Sequence, residues 1–148
     1  MMLFSILLTT SCIKHTVYHQ YQSVPSNMEW SKQDTLSYQI LLPDSLKPYH
    51  LAFEIRHTDR YPYQDLWAEI NQNLTDSNVW EKDTIRFKLC NSQGNWAGEG
   101  NAANLYVYTH PSGTFTPKQT GLRKVFITSL MKDSVLKNIS DIGIKIER

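Results

Sequence analysis

LSYQILL, residues 36–42, is the stretch that decides the fold class. Its apolar side chains recur at every second position from Leu36 to Leu42, and the positions between them begin with the polar residues Ser37 and Gln39. Successive side chains of a β-strand point to opposite faces, so this period of two indicates a strand that is buried on one face. Such one-sided strands are typical of antiparallel sheets whose outer face is in contact with water.

The same alternation recurs along the rest of the chain. The further strand candidates are 49–56, 66–71, 85–89, 105–108, 125–127 and 142–146. Turn residues such as Pro43-Asp44-Ser45 and Pro111-Ser112-Gly113 separate them. About seven strands at this spacing predict an all-β fold, an antiparallel β-sandwich. The stretch 130–139 has apolar residues at every fourth position and is the one candidate helix.

Composition limits the class of protein before any motif is considered. The chain has 148 residues, of which 41% are hydrophobic and 20% charged, and its formal net charge is +1. These values fit one globular domain. A nucleic-acid-binding domain usually carries a basic patch, and the sequence has no run of Lys and Arg, so no nucleic-acid partner is expected. HExxH, GxSxG, phosphate-loop and CxxC motifs are missing from the sequence, and we therefore expect no enzyme activity, no catalytic residues, no metal and no cofactor.

The amino terminus is similar to a bacterial lipoprotein signal. Residues 1–11, MMLFSILLTTS, run from apolar to small side chains, and Cys12 follows them. An apolar run this short cannot span a bilayer, which needs about 20 residues, but it fits the hydrophobic region of an export signal. Cleavage before a lipidated Cys12 predicts a signal peptide over 1–11, a flexible tether over 12–33 and a β-sandwich domain over 34–148. The alternative is a buried N-terminal strand with an ordinary cysteine.

Two clusters of polar and aromatic residues form the predicted interaction surface. The candidate residues are Asp59, Arg60, Tyr61, Tyr63, Asp65 and Trp96. In segment 59–65 the tyrosines would supply flat contact surfaces and the charged residues a rim. In segment 94–100 the glycines around Trp96 predict a tight hairpin or a bulge. One alternative is that the tyrosines pack over the sandwich edge. Another is carbohydrate binding, with exposed Trp30, Trp67 and Trp80 stacking on sugar rings.

The order of these pieces resembles the gliding-motility lipoprotein family GldH of the Bacteroidetes. That family shows a lipoprotein signal, an Arg-x-Thr-x-x-Tyr-Pro-Tyr-x-x-Leu segment, a Gly-x-Trp-x-Gly-x-Gly segment and an isoleucine-rich end. The matching residues here are Arg56, Thr58, Tyr61, Pro62, Tyr63, Leu66, Gly94, Trp96, Gly98, Gly100, Met131, Lys132, Ile139, Asp141, Ile142, Gly143, Ile144, Ile146 and Glu147. The resemblance runs from about residue 18 to residue 147, nearly the whole chain that would follow cleavage.

The resemblance implies a non-enzymatic outer-membrane lipoprotein that serves the gliding motility and type IX secretion apparatus. Its partners would be other envelope lipoproteins of that machinery, and the membrane through the lipid anchor. Surface-exported lipoproteins of that phylum usually carry acidic residues just after the lipidated cysteine. Here Ile13-Lys14-His15-Thr16 follows it, so a periplasm-facing anchor is expected. The alternative function is that of a carbohydrate-binding envelope lipoprotein.

Overall fold

The protein is an antiparallel β-sandwich, described by a computed structural model over residues 14–148. The strands are β1 (Thr16–Ser23), β2 (Glu29–Ser31), β3 (Leu36–Leu42), β4 (Tyr49–Thr58), β5 (Asp65–Gln72), β6 (Glu81–Lys88), β7 (Glu99–Gly100), β8 (Leu105–Phe115), β9 (Gly121–Ser129), β10 (Val135–Lys137) and β11 (Ile139–Glu147). A single helical turn, α1 (Pro25–Met28), follows β1. Within residues 14–148 no helix has the length and apolarity to cross a bilayer.

Two sheets face each other across the core. One has the strand order β1-β11-β4-β8-β7 and the other the order β3-β9-β5-β6, and β2 pairs with β10 in a small third sheet. The alternating positions that the sequence assigns to one face do meet here: Tyr38, Ile40 and Ile127 from one sheet are buried with Phe53 and Ile144 from the other. The predicted fold class is therefore confirmed, with eleven strands in the described residues instead of about seven.

The predicted tether over 12–33 is wrong for most of its length. Strand β1 pairs with β11 from Thr16 to Ser23, and β2 pairs with β10. Trp30, which the carbohydrate-binding alternative requires to be exposed, is fully buried in the core. Residues 16–31 therefore belong to the sandwich, and the domain begins well before residue 34. Cys12 and the predicted signal peptide over 1–11 lie outside the described residues.

A polar cluster on the outer face of the five-stranded sheet secures β1. The Tyr21 hydroxyl and His19 Nε2, the latter at 2.7 Å, both bond to the Glu54 carboxylate on β4. The Arg56 guanidinium lies 3.5 Å from the centre of the Tyr21 ring. A Cβ at Gly143 would stand 2.7 Å from that ring, so a glycine in β11 lets the tyrosine lie flat and reach β4. Burial raises the pKa of Glu54, but the hydrogen bonds from Tyr21 and His19 outweigh it, and the net pKa is below the ordinary value.

Two further predictions about local structure are wrong. The candidate helix over 130–139 is an irregular bend followed by β10 and the start of β11, separated by Asn138 at φ 68°. Met131 and Ile139 pack inward from separate elements, whereas Val135 between them is exposed, so the four-residue spacing does not mark one buried face. Strand β8 continues past Pro111 to Phe115, and a register shift in the pairing of β4 with β8 lies opposite the proline. The loop before β9 therefore begins later than the turn residues 111–113 suggest, and it spans 116–120.

The sandwich has two distinct ends. The entry end is where the described chain begins, at residues 14–15, and it contains the connections 43–48, 73–80 and 116–120 and the last residue, Arg148. The far end contains the connections 59–64, 89–104 and 130–134 and the segment 24–35. Both predicted clusters of aromatic and polar residues therefore lie at the far end, opposite the point where residue 14 enters.

Candidate functional site

An aromatic cluster ties the two predicted segments together at the far end. The His57 ring is fully buried, and the rings of Tyr61, Trp96 and Tyr106 lie 5.7, 4.6 and 5.7 Å from it, centre to centre. His57 Nδ1 lies 2.9 Å from the carbonyl of Thr58 and donates to it, and Nε2 has no partner within residues 14–148. Burial lowers the pKa of His57, although the bond to Thr58 opposes the shift. The ring is therefore a neutral part of the core.

Trp96 reaches this cluster because the predicted hairpin forms. Gly94 adopts φ 84° in the turn after Asn91, and Cys90 bridges to Trp96 across it. A Cβ at Gly98 would stand 2.4 Å from the carbonyl oxygen of Val107, so only glycine allows this strand to approach β8 so closely. The hairpin therefore lays the half-buried Trp96 over His57 and Tyr106.

Tyr61 and Tyr63 have different roles. Tyr61 is only 3% exposed, and its hydroxyl donates to the carbonyl of Asp65 at 2.9 Å. Tyr61 is therefore a packing residue, and its ring is not accessible to a partner. For this tyrosine the structure agrees with the alternative in which the tyrosines pack over the sandwich edge. Tyr63 is 38% exposed, and its hydroxyl donates to the Asp133 carboxylate at 2.8 Å. That bond joins segment 59–65 to segment 130–134.

An exposed apolar groove lies beside Tyr63. Its lining residues are Tyr63, Trp67, Leu130, Met131 and Lys132, and its volume is about 370 Å³. The backbone N–H of Leu130 donates to the carbonyl of Trp67 at 2.9 Å, which fixes one wall against the other. Trp67 and Leu130 are 41% and 40% exposed. We call this feature the far-end groove.

Asp65 supports the far-end groove through an arginine. Its carboxylate accepts from Arg86 Nη2 at 2.7 Å and from Nε at 3.0 Å. The same guanidinium lies 5.7 Å from the Trp67 ring centre, close enough for a cation–π contact. The ion pair therefore positions the Arg86 guanidinium beside the Trp67 wall of the groove.

Asp59 and Arg60 are exposed at the turn after β4. Their backbone is fixed: Asp59 N–H donates to Asn104 at 3.1 Å, and Asn138 Nδ2 donates to the Arg60 carbonyl at 3.1 Å. Neither side chain forms an ion pair within the described part of the chain. The structure thus places all six candidate residues at the far end. Tyr61 and Trp96 pack in the aromatic cluster, and Asp65 pairs with Arg86 beside the groove. Tyr63, Asp59 and Arg60 are accessible to a partner.

The sequence-based prediction of a site missed one residue of the groove and one residue that binds Tyr63 beside it. Leu130 and Asp133 lie in the stretch interpreted as a helix, where their spacing gave no sign of an approach to Tyr63. The carbohydrate-binding alternative requires Trp67 and Trp80 to be exposed, and they are 41% and 47% exposed. Trp80 lies in the connection 73–80 at the entry end and stacks on Phe126, with ring centres 5.5 Å apart.

Fold and groove define a class: a small antiparallel β-sandwich protein that exposes an aromatic groove at the end opposite its chain entry. The chain belongs to the GldH lipoprotein family, whose family model matches residues 16–146. It is similar to the gliding motility lipoprotein GldH of Flavobacterium johnsoniae, with 27% identity, covering 99% of this chain and 94% of the relative. It is also similar to the GldH homolog of Christiangramia forsetii, with 28% identity over 99% of this chain and 92% of the relative.

Similarity to solved structures is weak. The C-terminal domain of EclA, described as a sugar-binding protein, superposes with a TM-score of 0.41 at 12% identity, covering 92% of this chain and 81% of that one. A chain of infectious bursal disease virus gives a TM-score of 0.31 at 9% identity, covering 90% of this chain and 32% of the viral one. At these scores neither structure supports a conclusion about ligand or function.

Proposed function

We propose that this protein is a non-enzymatic structural or assembly component of the gliding motility and type IX secretion apparatus. It is anchored by acyl chains on Cys12 at the periplasmic face of the outer membrane. It acts by binding another envelope lipoprotein of that machinery through the far-end groove and the turn at Asp59 and Arg60.

The observation that carries the proposal is family membership over residues 16–146, together with relatives described as gliding motility lipoproteins. A lipid anchor on Cys12 agrees with that family and with the small residues before the cysteine. Because the chain enters the sandwich at the end opposite the groove, a lipid anchor attached at that end directs the groove away from the bilayer. That orientation suits contact with a second protein.

The chemistry of the far-end groove favours contact over catalysis. Tyr63 is its one ionisable hydroxyl, and the hydrogen bond to the Asp133 carboxylate raises the pKa of that phenol. A raised pKa makes the phenolate a scarcer nucleophile and a poorer general base at neutral pH. The aromatic and aliphatic lining, with Lys132 and Arg86 at its edge, has instead the composition of an interface hot spot.

Paired tryptophan variants test the contact surface. Trp67→Ala truncates the groove, and Trp80→Ala removes an equally exposed ring elsewhere on the protein. Trp67→Ala is expected to reduce co-purification with envelope lipoproteins at least tenfold, whereas Trp80→Ala leaves it within twofold. Equal effects of the two variants would contradict the groove as the contact site. Retention of a soluble glycan that depends on Trp67 would favour the carbohydrate-binding alternative.

The anchor and its orientation have separate tests. Cys12→Ser is expected to abolish incorporation of labelled palmitate and to release the protein from the membrane fraction. Protease added to intact cells is expected to leave the protein whole, because a periplasmic face is shielded by the outer membrane. Digestion under those conditions would place it on the cell surface instead.

A further inference from the structure

The entry end presents apolar side chains to solvent in a fixed arrangement. Leu46, in the turn between β3 and β4, is 77% exposed, and Leu41 and Leu122, direct partners in the ladder of β3 and β9, are 65% and 51% exposed. Leu46 stands at φ 59°, in the left-handed region that a leucine rarely adopts. A residue keeps such a conformation only where its surroundings impose it.

The surroundings of Leu46 do impose that conformation. Its N–H donates to the carbonyl of Pro117 at 2.8 Å, and the backbone N–H of Asp44 donates to the Tyr49 hydroxyl oxygen at 3.2 Å. The Asp44 carboxylate is also paired with Arg148. The turn is therefore held so that the leucine projects outward. Single exposed leucines are common on proteins, but this one is held outward by its neighbours.

Basic side chains lie at the same end of the sandwich as these leucines. The acidic groups Asp44, Asp76 and Glu147 are paired with Arg148, Lys118 and Lys145, respectively. Two further carboxylates lie near this end: Glu81 accepts a hydrogen bond from Gln72 at 2.9 Å, and Asp83 forms no ion pair within residues 14–148. Within residues 14–148, Lys14, Lys47 and Lys124 form no ion pair. The end therefore offers free ammonium groups beside its apolar tip.

The path of the chain brings this end close to the lipid anchor. His15 and Arg148 exchange two backbone hydrogen bonds of 2.8 and 2.9 Å, so the chain is fastened to the sandwich three residues after Cys12. Three residues span at most about 11 Å when fully extended. If Cys12 carries acyl chains, as the proposed function states, the backbone of the entry end at His15 lies within about 11 Å of the lipidated residue.

We propose that the entry end is a membrane-contact surface that rests on the bilayer holding the acyl chains of Cys12. Leu46 inserts among the headgroups, and Lys14, Lys47 and Lys124 lie at the lipid phosphates. Anionic lipid attracts such basic groups, and an apolar side chain adds to an anchor that is already present. The contact fixes the orientation of the sandwich and holds the far-end groove outward. This inference rests on the proposed lipidation.

Fluorescence at two matched leucine positions tests the contact. The acylated protein carries Cys90→Ser, so that the one free thiol is the introduced one, at Leu46→Cys or at Leu130→Cys in the far-end groove. Each is labelled with nitrobenzoxadiazole and placed in vesicles of phosphatidylethanolamine and phosphatidylglycerol. The label at 46 is expected to shift to the blue and to be quenched by spin-labelled lipid at least threefold more than the label at 130.

The outcomes separate the two proposals. Intact mass establishes acylation first, and a protein without acyl chains overturns both the anchor and this contact. An acylated protein whose label at 46 remains as water-exposed as the label at 130 overturns the contact alone. Lys47→Glu is expected to weaken quenching at 46 at least twofold in these vesicles, and to leave it unchanged in vesicles of phosphatidylcholine.

Discussion

The far end and the entry end of the sandwich differ in where their large side chains lie. At the far end aromatic rings pack inward, as Tyr61 and Trp96 do against the buried His57. At the entry end the leucines Leu46 and Leu41 are exposed to solvent. Backbone and side-chain hydrogen bonds occur at both ends, so the difference lies in packing and not in the kind of bond. A packed ring depends on the identity of the side chain, whereas an exposed side chain does not.

The largest expected effect is a difference in the free energy of unfolding between a variant of a buried far-end ring and a variant of an exposed entry-end leucine. Tyr61→Ala removes a buried ring from the cluster of His57 and Trp96, and loss of a core aromatic costs about 3–5 kcal/mol. Leu46→Ala at the entry end keeps the left-handed backbone and removes only an exposed side chain, so a change within about 0.5 kcal/mol is expected. Urea unfolding of both variants measures the difference. Similar losses would mean that the entry-end turn depends on its leucine.

A smaller effect is expected where two far-end loops meet. Tyr63→Phe keeps the ring but loses the hydrogen bond to Asp133, which is expected to cost about 1 kcal/mol because the site is partly exposed. Tyr18→Phe is the matched control, since that hydroxyl meets only Gln20, at 3.3 Å on the exposed surface. Hydrogen exchange should also quicken at 130–134 in Tyr63→Phe. Exchange unchanged at those amides would show that the loops are held by other contacts.

The smallest expected effect concerns pH. Burial lowers the pKa of His57, so the unfolded chain takes up a proton near its ordinary value of about 6.5 while the folded chain does not. Stability therefore falls as pH drops from about 7 to 5, because the unfolded state binds more protons. His57→Gln is expected to be less stable at pH 7 and to show a shallower slope. Part of the slope remains, since burial lowers the pKa of His110 as well. A slope equal to that of the wild type would contradict the assignment to His57.

The sequence was sufficient to predict the strands that have one apolar face. Leu36 to Leu42 alternate because one face meets the core and the other meets water, and burial in the structure follows that alternation. Ile142, Ile144 and Ile146 are likewise buried, although Gly143 between them is covered by Tyr21. Family membership likewise followed from motifs in order. Both predictions succeeded because strand alternation and family motifs can be recognised from residues that are close together in the sequence or at fixed spacings.

The N-terminal strand could not be found in this way. Strand β1 lies at a sheet edge and has no continuous buried face, so its sequence TVYHQYQS shows little apolar alternation. It is held by pairing with residues near 145 and by the bonds from Tyr21 and His19 to Glu54, which are remote in sequence. The far-end groove was missed for the same reason, because Tyr63 and Asp133 meet only after the sheets have packed.

Site-specific photo-crosslinking in living cells tests the central claim that one end meets protein and the other meets the membrane. A photoreactive amino acid replaces Trp67 in the far-end groove or Leu41 at the entry end, and adducts are identified by mass spectrometry. The account predicts a discrete adduct with another envelope lipoprotein from position 67 and none from position 41. Protein adducts formed at position 41 but not at position 67 would contradict it.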